Sequence, residues 1–138
     1  MKAPLPLVVS VVVALVAGCG KPSACPPGTQ IAEARSRPPL SVWCQDVKSP
    51  KKARRIELFE TGRKKQECRY EDGVADGKFT AWHKTTGVWL EGEYAAGHKT
   101  GKWTQHNDKG VVVAGGEYRE GTLVAGAPVA APATCETH

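Results

Sequence analysis

The chain has 138 residues and a formal net charge of +5. That length allows one small domain or a short array of repeats. The N-terminal apolar run, residues 7–17, is shorter than the ~20 residues that a membrane-spanning helix needs, so it does not predict a transmembrane helix. It follows Lys2 and ends in small residues, which is the layout of a secretory signal peptide over residues 1–18.

The end of this segment is more specific. Val16-Ala17-Gly18-Cys19 resembles the lipobox of bacterial lipoproteins, in which an aliphatic and two small residues precede an obligatory cysteine. The resemblance implies that Cys19 carries the lipid and anchors the mature protein in a membrane, since each buried methylene contributes ~0.8 kcal/mol. Gly20 behind the cysteine implies the outer membrane of a Gram-negative cell envelope. The alternative is an ordinary signal peptide with an incidental Cys19.

Four further cysteines remain: Cys25, Cys44, Cys68 and Cys135. An even number in an oxidising compartment predicts two disulfides. Three connectivities are open, and we favour Cys25–Cys44 with Cys68–Cys135 because the first pair flanks one N-terminal segment. A zinc site is the rival interpretation, and the absence of any Cys-x-x-Cys spacing in the sequence disfavours it.

Composition divides the mature chain into three parts. Residues 19–42 carry five prolines and no sustained period, which argues against a helix or a long strand and predicts a lipid-anchored tether. Residues 43–126 hold all nine aromatic residues and form the predicted domain. Residues 127–138 are rich in Ala and Pro, so we expect an extended or disordered tail that a Cys135 disulfide would fix.

A period of 24 residues runs through the predicted domain. Such a period indicates stacked supersecondary units. Residues 43–62 are a candidate for an additional, degenerate (worn) copy of the repeat. The repeated residues, to which we assign structural roles, are Tyr70, Tyr94 and Tyr118; Gly73, Gly97 and Gly121; Gly77 and Gly101; Phe79 and Trp103; and Gly92 and Gly116, whose slot Cys68 takes in the first copy.

Each unit is predicted to be a β-hairpin. Residues 88–94 and 111–118 alternate in character with the period of a half-buried strand. This alternation places Leu90 and Tyr94 on the packed face and Trp89 on the opposite, polar face. Tight turns are expected at 61–62, 86–87 and 107–110, and longer glycine-bounded turns at 73–77 and 97–101.

Two glycines stand inside predicted strands. Glycine weakens a strand interior unless another group must approach the backbone closely. We therefore expect aromatic side chains, with Phe79 and Trp103 as the candidates, to lie over Gly92 and Gly116.

The phrase Gly-Glu-Tyr-x-x-Gly-x-x-x-Gly-Lys-Trp, whole at 92–103, resembles the MORN-like repeats. It is more closely similar to the bacterial hairpin-repeat proteins labelled as toxin–antitoxin antitoxin components. The resemblance covers about residues 56–126, and Lys102 stands where the strict MORN pattern favours a second glycine. It implies an all-β fold, an elongated, single-layer antiparallel meander of hairpins, with no enzyme activity. MORN repeats are linked to lipid binding, scaffolding and dimerisation.

No pattern predicts catalysis, a metal site or a cofactor. The last serine is Ser49, so the repeats hold no serine nucleophile. The four histidines fall at different repeat phases and lack partners at metal-ligand spacing. Glu91 and Glu93 lie on the polar face of their strand, which is typical of solvated charge. The sequence therefore predicts a protein that is not an enzyme.

Three binding hypotheses follow. The first is a binding or scaffold module for an envelope protein or polymer, with Trp82 and Trp89 as exposed anchors. The second is electrostatic binding of anionic lipid or polysaccharide through the basic window 48–69, although a charge run is more often a solvated face. The third is a homodimer formed through unpaired sheet edges. Nucleic acid is not expected in this compartment. The basic candidates are Lys51, Lys52, Arg54, Arg55, Arg63, Lys64 and Lys65.

Overall fold

A computed structural model describes residues 25–35, 37, 40–130 and 135. The predicted signal peptide, Cys19 and most of the last eight residues lie outside the described residues. Within the described ranges the protein is all-β, with no helix and an open antiparallel meander. This confirms the predicted fold class.

Ten strands form one sheet, in the spatial order β1-β2-β3-β4-β6-β7-β8-β9-β10, while the short β5 pairs with β4. Apart from β5, each strand therefore pairs with its neighbours in sequence, as expected of hairpins in series. The strands are β1 (Thr29–Arg35), β2 (Leu40–Asp46), β3 (Lys52–Leu58), β4 (Lys64–Glu71), β5 (Val74–Ala75), β6 (Gly77–Trp82), β7 (Val88–Ala95), β8 (His98–His106), β9 (Val112–Arg119) and β10 (Thr122–Gly126).

The period of the sequence is also the period of the strands. The strands β2, β4, β7 and β9 begin at residues 40, 64, 88 and 112, each 24 residues after the one before. The array therefore contains one more unit than the three that the repeated tyrosines mark, and it overlaps the candidate worn copy.

The glycine-bounded connections are shorter than predicted. Ala95 pairs with His98, so Ala96 and Gly97 alone make the turn, with φ of 48° and 84°. These are the values of a type I′ turn, which matches the twist of a hairpin. The equivalent pairs at 72–73 and 120–121 also have positive φ. The prediction of longer turns at 73–77 and 97–101 is therefore wrong. In each place a two-residue turn is followed by a stretch of irregular strand pairing that contains Gly77 or Gly101.

The N-terminal boundary of the sheet is also different from the prediction. We expected residues 19–42 to form a tether without a long strand. That prediction is wrong for residues 29–35, which form β1, and for residues 40–42, which begin β2. Pro26 and Pro27 precede β1. These two prolines therefore remove no ladder hydrogen bond, because they flank the strand instead of interrupting it.

Both favoured disulfides are present. Cys25 is bonded to Cys44, and Cys68 is bonded to Cys135. They belong to two separate cores: Cys25 and Cys44 pack with Ile56, whereas Cys68 and Cys135 belong to the larger cluster of tyrosines, Phe79, Leu90 and Trp103.

These cores lie on opposite faces of the sheet. Trp43 and Cys68 are both opposite Arg55 in the ladder, so they share one face, whereas Cys44 is opposite Arg54. Neighbouring residues on a strand point to opposite faces. We call the first the aromatic face; it carries Trp43, Tyr70, Phe79, Tyr94, Trp103 and Tyr118.

The two interior glycines have different neighbours. A Cβ added to Gly92 would overlap the indole of Trp103, so this glycine makes room for the ring as expected. A Cβ on Gly116 would instead lie 2.5 Å from Leu123 Cδ1 and 2.6 Å from the carbonyl oxygen of Ala127. The expectation that an aromatic ring of another strand covers Gly116 is therefore wrong, because the C-terminal chain passes there.

Candidate functional site

A row of aromatic rings crosses the sheet on the aromatic face. The Trp103 ring lies 5.4 Å from Phe79, 5.3 Å from Tyr94 and 6.3 Å from Tyr118, measured between centroids. At the other end, Trp43 lies 4.7 Å from Tyr70. The 24-residue period produces this row because each copy places its aromatic residues at the same position of a neighbouring hairpin.

The ammonium group of Lys99 adds a cation to this row. Its Nζ atom is 4.8 Å from the centre of the Trp103 ring and 5.3 Å from that of Tyr118. Both distances are within the range of a cation–π interaction. Burial lowers the pKa of Lys99. Sequence reasoning missed this residue because it placed Lys99 in the predicted turn 97–101, although Lys99 lies on β8 opposite Tyr94.

The C-terminal chain lies across the aromatic row. We call the described part of it, Ala127–Ala130 with Cys135, the strap. Val129 and Cys135 are buried in the larger of the two core clusters, which we call the main core. The backbone N–H of Val129 donates to the Tyr118 hydroxyl at 3.2 Å, and that of Ala130 donates to Gln105 Oε1 at 2.8 Å.

Tyr94 also contacts the strap. Burial raises the pKa of the Tyr94 phenol, and a hydrogen bond with the backbone of Cys135 opposes that effect. Tyr118, Gln105 and Tyr94 lie on β9, β8 and β7. Three adjacent strands thus offer side-chain oxygens to one segment.

The two predicted tryptophan anchors are both half-buried. Trp89 packs against the main core, and its ring lies 6.3 Å from that of His83. Its predicted position on the polar face, away from the core, is wrong. The ladder shifts by one residue between Ala81 and Trp82, which leaves Trp89 as an extra residue of β7. Such a bulge redirects the side chain. Trp82 lies 5.7 Å from Lys64 Nζ.

Acidic partners engage much of the basic window. Arg54 and Lys64 bind the two carboxylate oxygens of Glu67, at 3.1 and 2.8 Å. Arg55 binds Glu57 at 2.8 Å, and both side chains are largely buried.

The other basic candidates are more exposed. Arg63 donates to the carbonyl oxygens of Lys84 and Thr86 and thereby joins two hairpins. Lys51 lies 3.9 Å from Asp72, and Lys52 and Lys65 are exposed. The window therefore does not form one continuous cationic patch.

A cleft of about 230 Å³ opens beside these residues. Its charged lining includes Arg54 and Arg69, which are directly opposite one another on β3 and β4, together with Asp46, Glu71 and Asp76. Both signs of charge are present, so the cleft does not favour a purely anionic ligand. Sequence reasoning did not find it, because its members come from five strands and turns.

The C-terminal end of the sheet has an open edge. The strand β10 covers β9 only from Gly116 to Arg119, and the Ala127 N–H then bonds to the Gly115 carbonyl oxygen. In the described part of the chain, no strand covers the outer side of residues 112–114, whereas the backbone of Val111 is hydrogen-bonded to Asn107. Val111, Val112 and Val113 are 58%, 57% and 55% exposed. We call residues 111–114 the valine edge.

Comparison of the chain with protein-family models, with curated proteins and with solved structures found no match. Among the residues that the structure describes, no helix is long and apolar enough to cross a membrane. The same residues contain no group of three or more His, Cys, Asp or Glu side chains that could hold a metal ion.

Proposed function

We propose that the protein is a non-enzymatic lipoprotein of the bacterial cell envelope, anchored through Cys19, whose hairpin sheet binds a protein partner. The valine edge carries this proposal. Exposed apolar residues in a row, on a stretch of strand whose outer side no described strand covers, are the features that an added strand uses. We infer that the partner contributes an extended segment, which pairs with residues 112–114.

The test is a charge placed on the edge. Val113→Lys, made in the full chain and expressed in cells, should remove the partner from a crosslinking pull-down, because lysine disfavours strand addition at an edge. The matched control is Val47→Lys, since Val47 is 59% exposed and lies outside the strands. If Val113→Lys retained the partners that the control captures, binding through the valine edge would be refuted.

Self-association is a second candidate. The outermost strands expose Ile31 on β1, at 55%, and Val124 on β10, at 49%. Either edge could pair with that of a second copy. Light scattering on the purified protein distinguishes the two cases: a concentration-dependent dimer that Ile31→Lys or Val124→Lys abolishes supports self-association, and a monomer at all concentrations excludes it.

A further inference from the structure

The strap is bound mainly through its backbone. The N–H groups of Val129 and Ala130 reach oxygens of Tyr118 and Gln105, and the backbone of Cys135 bonds to the Tyr94 hydroxyl. In each of these three bonds the sheet contributes a side chain and the strap contributes its main chain. The sheet therefore recognises a chain conformation, and another segment of similar shape would meet the same oxygens.

The side-chain requirements of this groove are small. Apart from the cysteine, Val129 is the one described strap residue that is fully buried, with 8% exposure. Its neighbours Ala127 and Pro128 are exposed and uncharged. The groove thus accepts one aliphatic anchor, flanked by small residues. The indole N–H of Trp103, in the same aromatic row, is buried without a hydrogen-bond partner in the described part of the protein.

We propose that the aromatic face is a docking groove for an uncharged Ala/Pro-rich segment of another protein, anchored by one small aliphatic side chain. The strap is its resident intramolecular ligand. Tyr118, Gln105 and Tyr94 receive the backbone N–H groups of the bound segment, and the pocket of Val129 receives its anchor. This site goes beyond the proposed function, because it lies on the aromatic face and does not use the valine edge.

The resident strap competes with any external segment. Tethering two groups in one chain gives an effective concentration in the millimolar range for a short flexible connection, and the Cys68–Cys135 disulfide fixes the strap at its far end. A free peptide should therefore bind well only when the strap is released.

The experiment uses the full mature chain in detergent. An open variant carries Cys68→Ser and Cys135→Ser, which remove the disulfide, and Val129→Asp, which weakens the resident anchor. The probe is a fluorescein-labelled synthetic peptide of residues 126–138 with the Cys135→Ser substitution, followed by fluorescence polarisation. We expect saturable binding to the open variant and at least a tenfold weaker affinity for the wild type.

Two matched changes test the contacts. Gln105→Leu in the open variant should lower the affinity for the peptide about 3- to 10-fold, which is the effect of losing one hydrogen bond. A probe that also carries Val129→Asp should not bind. Absence of binding to a folded open variant, or equal affinity of the wild type and the open variant, would overturn the proposal.

A second variant provides the same test if the open variant does not fold. Val129→Asp alone leaves both disulfides in place, and a shorter probe of residues 126–131 should bind it more tightly than the wild type. Equal affinities there would also overturn the proposal. Val113→Lys should not change probe binding, so failure of the groove and failure of the valine edge give different results.

Discussion

Replacing Gly92 by alanine should be strongly destabilising. The added Cβ would overlap the Trp103 indole, which is fully buried. The ring cannot move away freely, because Phe79, Tyr94 and Tyr118 surround it at centroid distances of 5.4, 5.3 and 6.3 Å. The strand must shift instead, or the ring must leave its position.

The cost follows from the packing. Overpacking a core usually costs about 1–3 kcal/mol, and the enclosed ring places Gly92→Ala at the upper end, about 3 kcal/mol. With a urea m-value of about 2 kcal/mol/M, the unfolding midpoint should fall by about 1.5 M. That is a large part of the ~5–15 kcal/mol that stabilises a typical domain.

Urea unfolding followed by tryptophan fluorescence measures this shift, and Gly115→Ala is the matched control. Gly115 also lies inside a strand, but a Cβ there would be 3.6 Å from its nearest neighbour, the Trp103 carbonyl oxygen. Alanine should be neutral or slightly stabilising at that position. A Gly92→Ala midpoint within 0.3 M of the wild type (about 0.6 kcal/mol), or an equal loss in both variants, would refute the reasoning.

Three further predictions concern stability. Removing the Cys68–Cys135 disulfide with two serine substitutions should lower the free energy of unfolding by about 4 kcal/mol, and removing Cys25–Cys44 in the same way by about 3 kcal/mol. The order follows from the lengths of the closed loops, 67 and 19 residues, because a longer loop gains more entropy in the unfolded chain. Urea unfolding measures both values, and the reverse order would contradict this account. Ala96→Asn should raise the thermal midpoint by a few degrees, about 0.5–1 kcal/mol, because Asn tolerates the observed φ of 48° better than Ala; an unchanged midpoint would show that the turn carries no strain. Glu67→Gln should lower stability at pH 7 by about 1 kcal/mol, with the difference vanishing at acidic pH.

The sign of that pH dependence follows from the environment of Glu67. Burial alone raises the pKa of this carboxyl group, but the hydrogen bonds and charges of Lys64 and Arg54 outweigh burial, so the pKa of Glu67 lies below its usual value. A lowered pKa in the folded state contributes stability that is present above the unfolded pKa and is lost as the pH falls through the folded pKa. Urea midpoints of the wild type and Glu67→Gln should therefore differ at pH 7 and converge as the pH falls below the ~4.3 of an unperturbed glutamate and through the lower pKa of the folded state. A constant difference would contradict a titrating ion pair.

The sequence predicted the repeat well because its signal is local and recurs. Tyr70, Tyr94 and Tyr118 occupy equivalent strand positions, and all three are buried. The glycines at 73, 97 and 121 all have φ near 80°. The buried side chains and the positive-φ glycines recur with the same period, so the period alone predicts both.

The failures come from features that no single segment encodes. The strand β1 has little apolar alternation and is held by its pairing with β2 and by the nearby Cys25–Cys44 bond. Trp89 turns towards the core because of a bulge in the pairing with β6. The strap site joins Tyr118, Gln105 and Tyr94 through contacts that span 11 to 41 residues.

A one-residue difference in one hairpin explains why the protein has two cores. Residues 42, 66 and 90 are equivalent in the repeat, and their ladder partners are Ile56, Ala81 and Gln105, which are 25 and 24 residues apart. At this position the β2–β3 hairpin is therefore one residue shorter than the β4–β6 and β7–β8 hairpins. Because side chains alternate along a strand, this shift turns every residue of β2 to the other face relative to the later copies.

The consequence is visible in the cysteines. Cys44 and Cys68 hold the same position of the repeat, 24 residues apart, yet they lie on opposite faces because of the shift in register. The N-terminal segment is therefore bonded to one face through Cys25, and the strap is bonded to the other through Cys135. If both cysteines faced the same side, the two terminal segments would be held on one face. The shorter hairpin thus leaves the aromatic face to the strap and separates the N-terminal attachment from the groove that we propose.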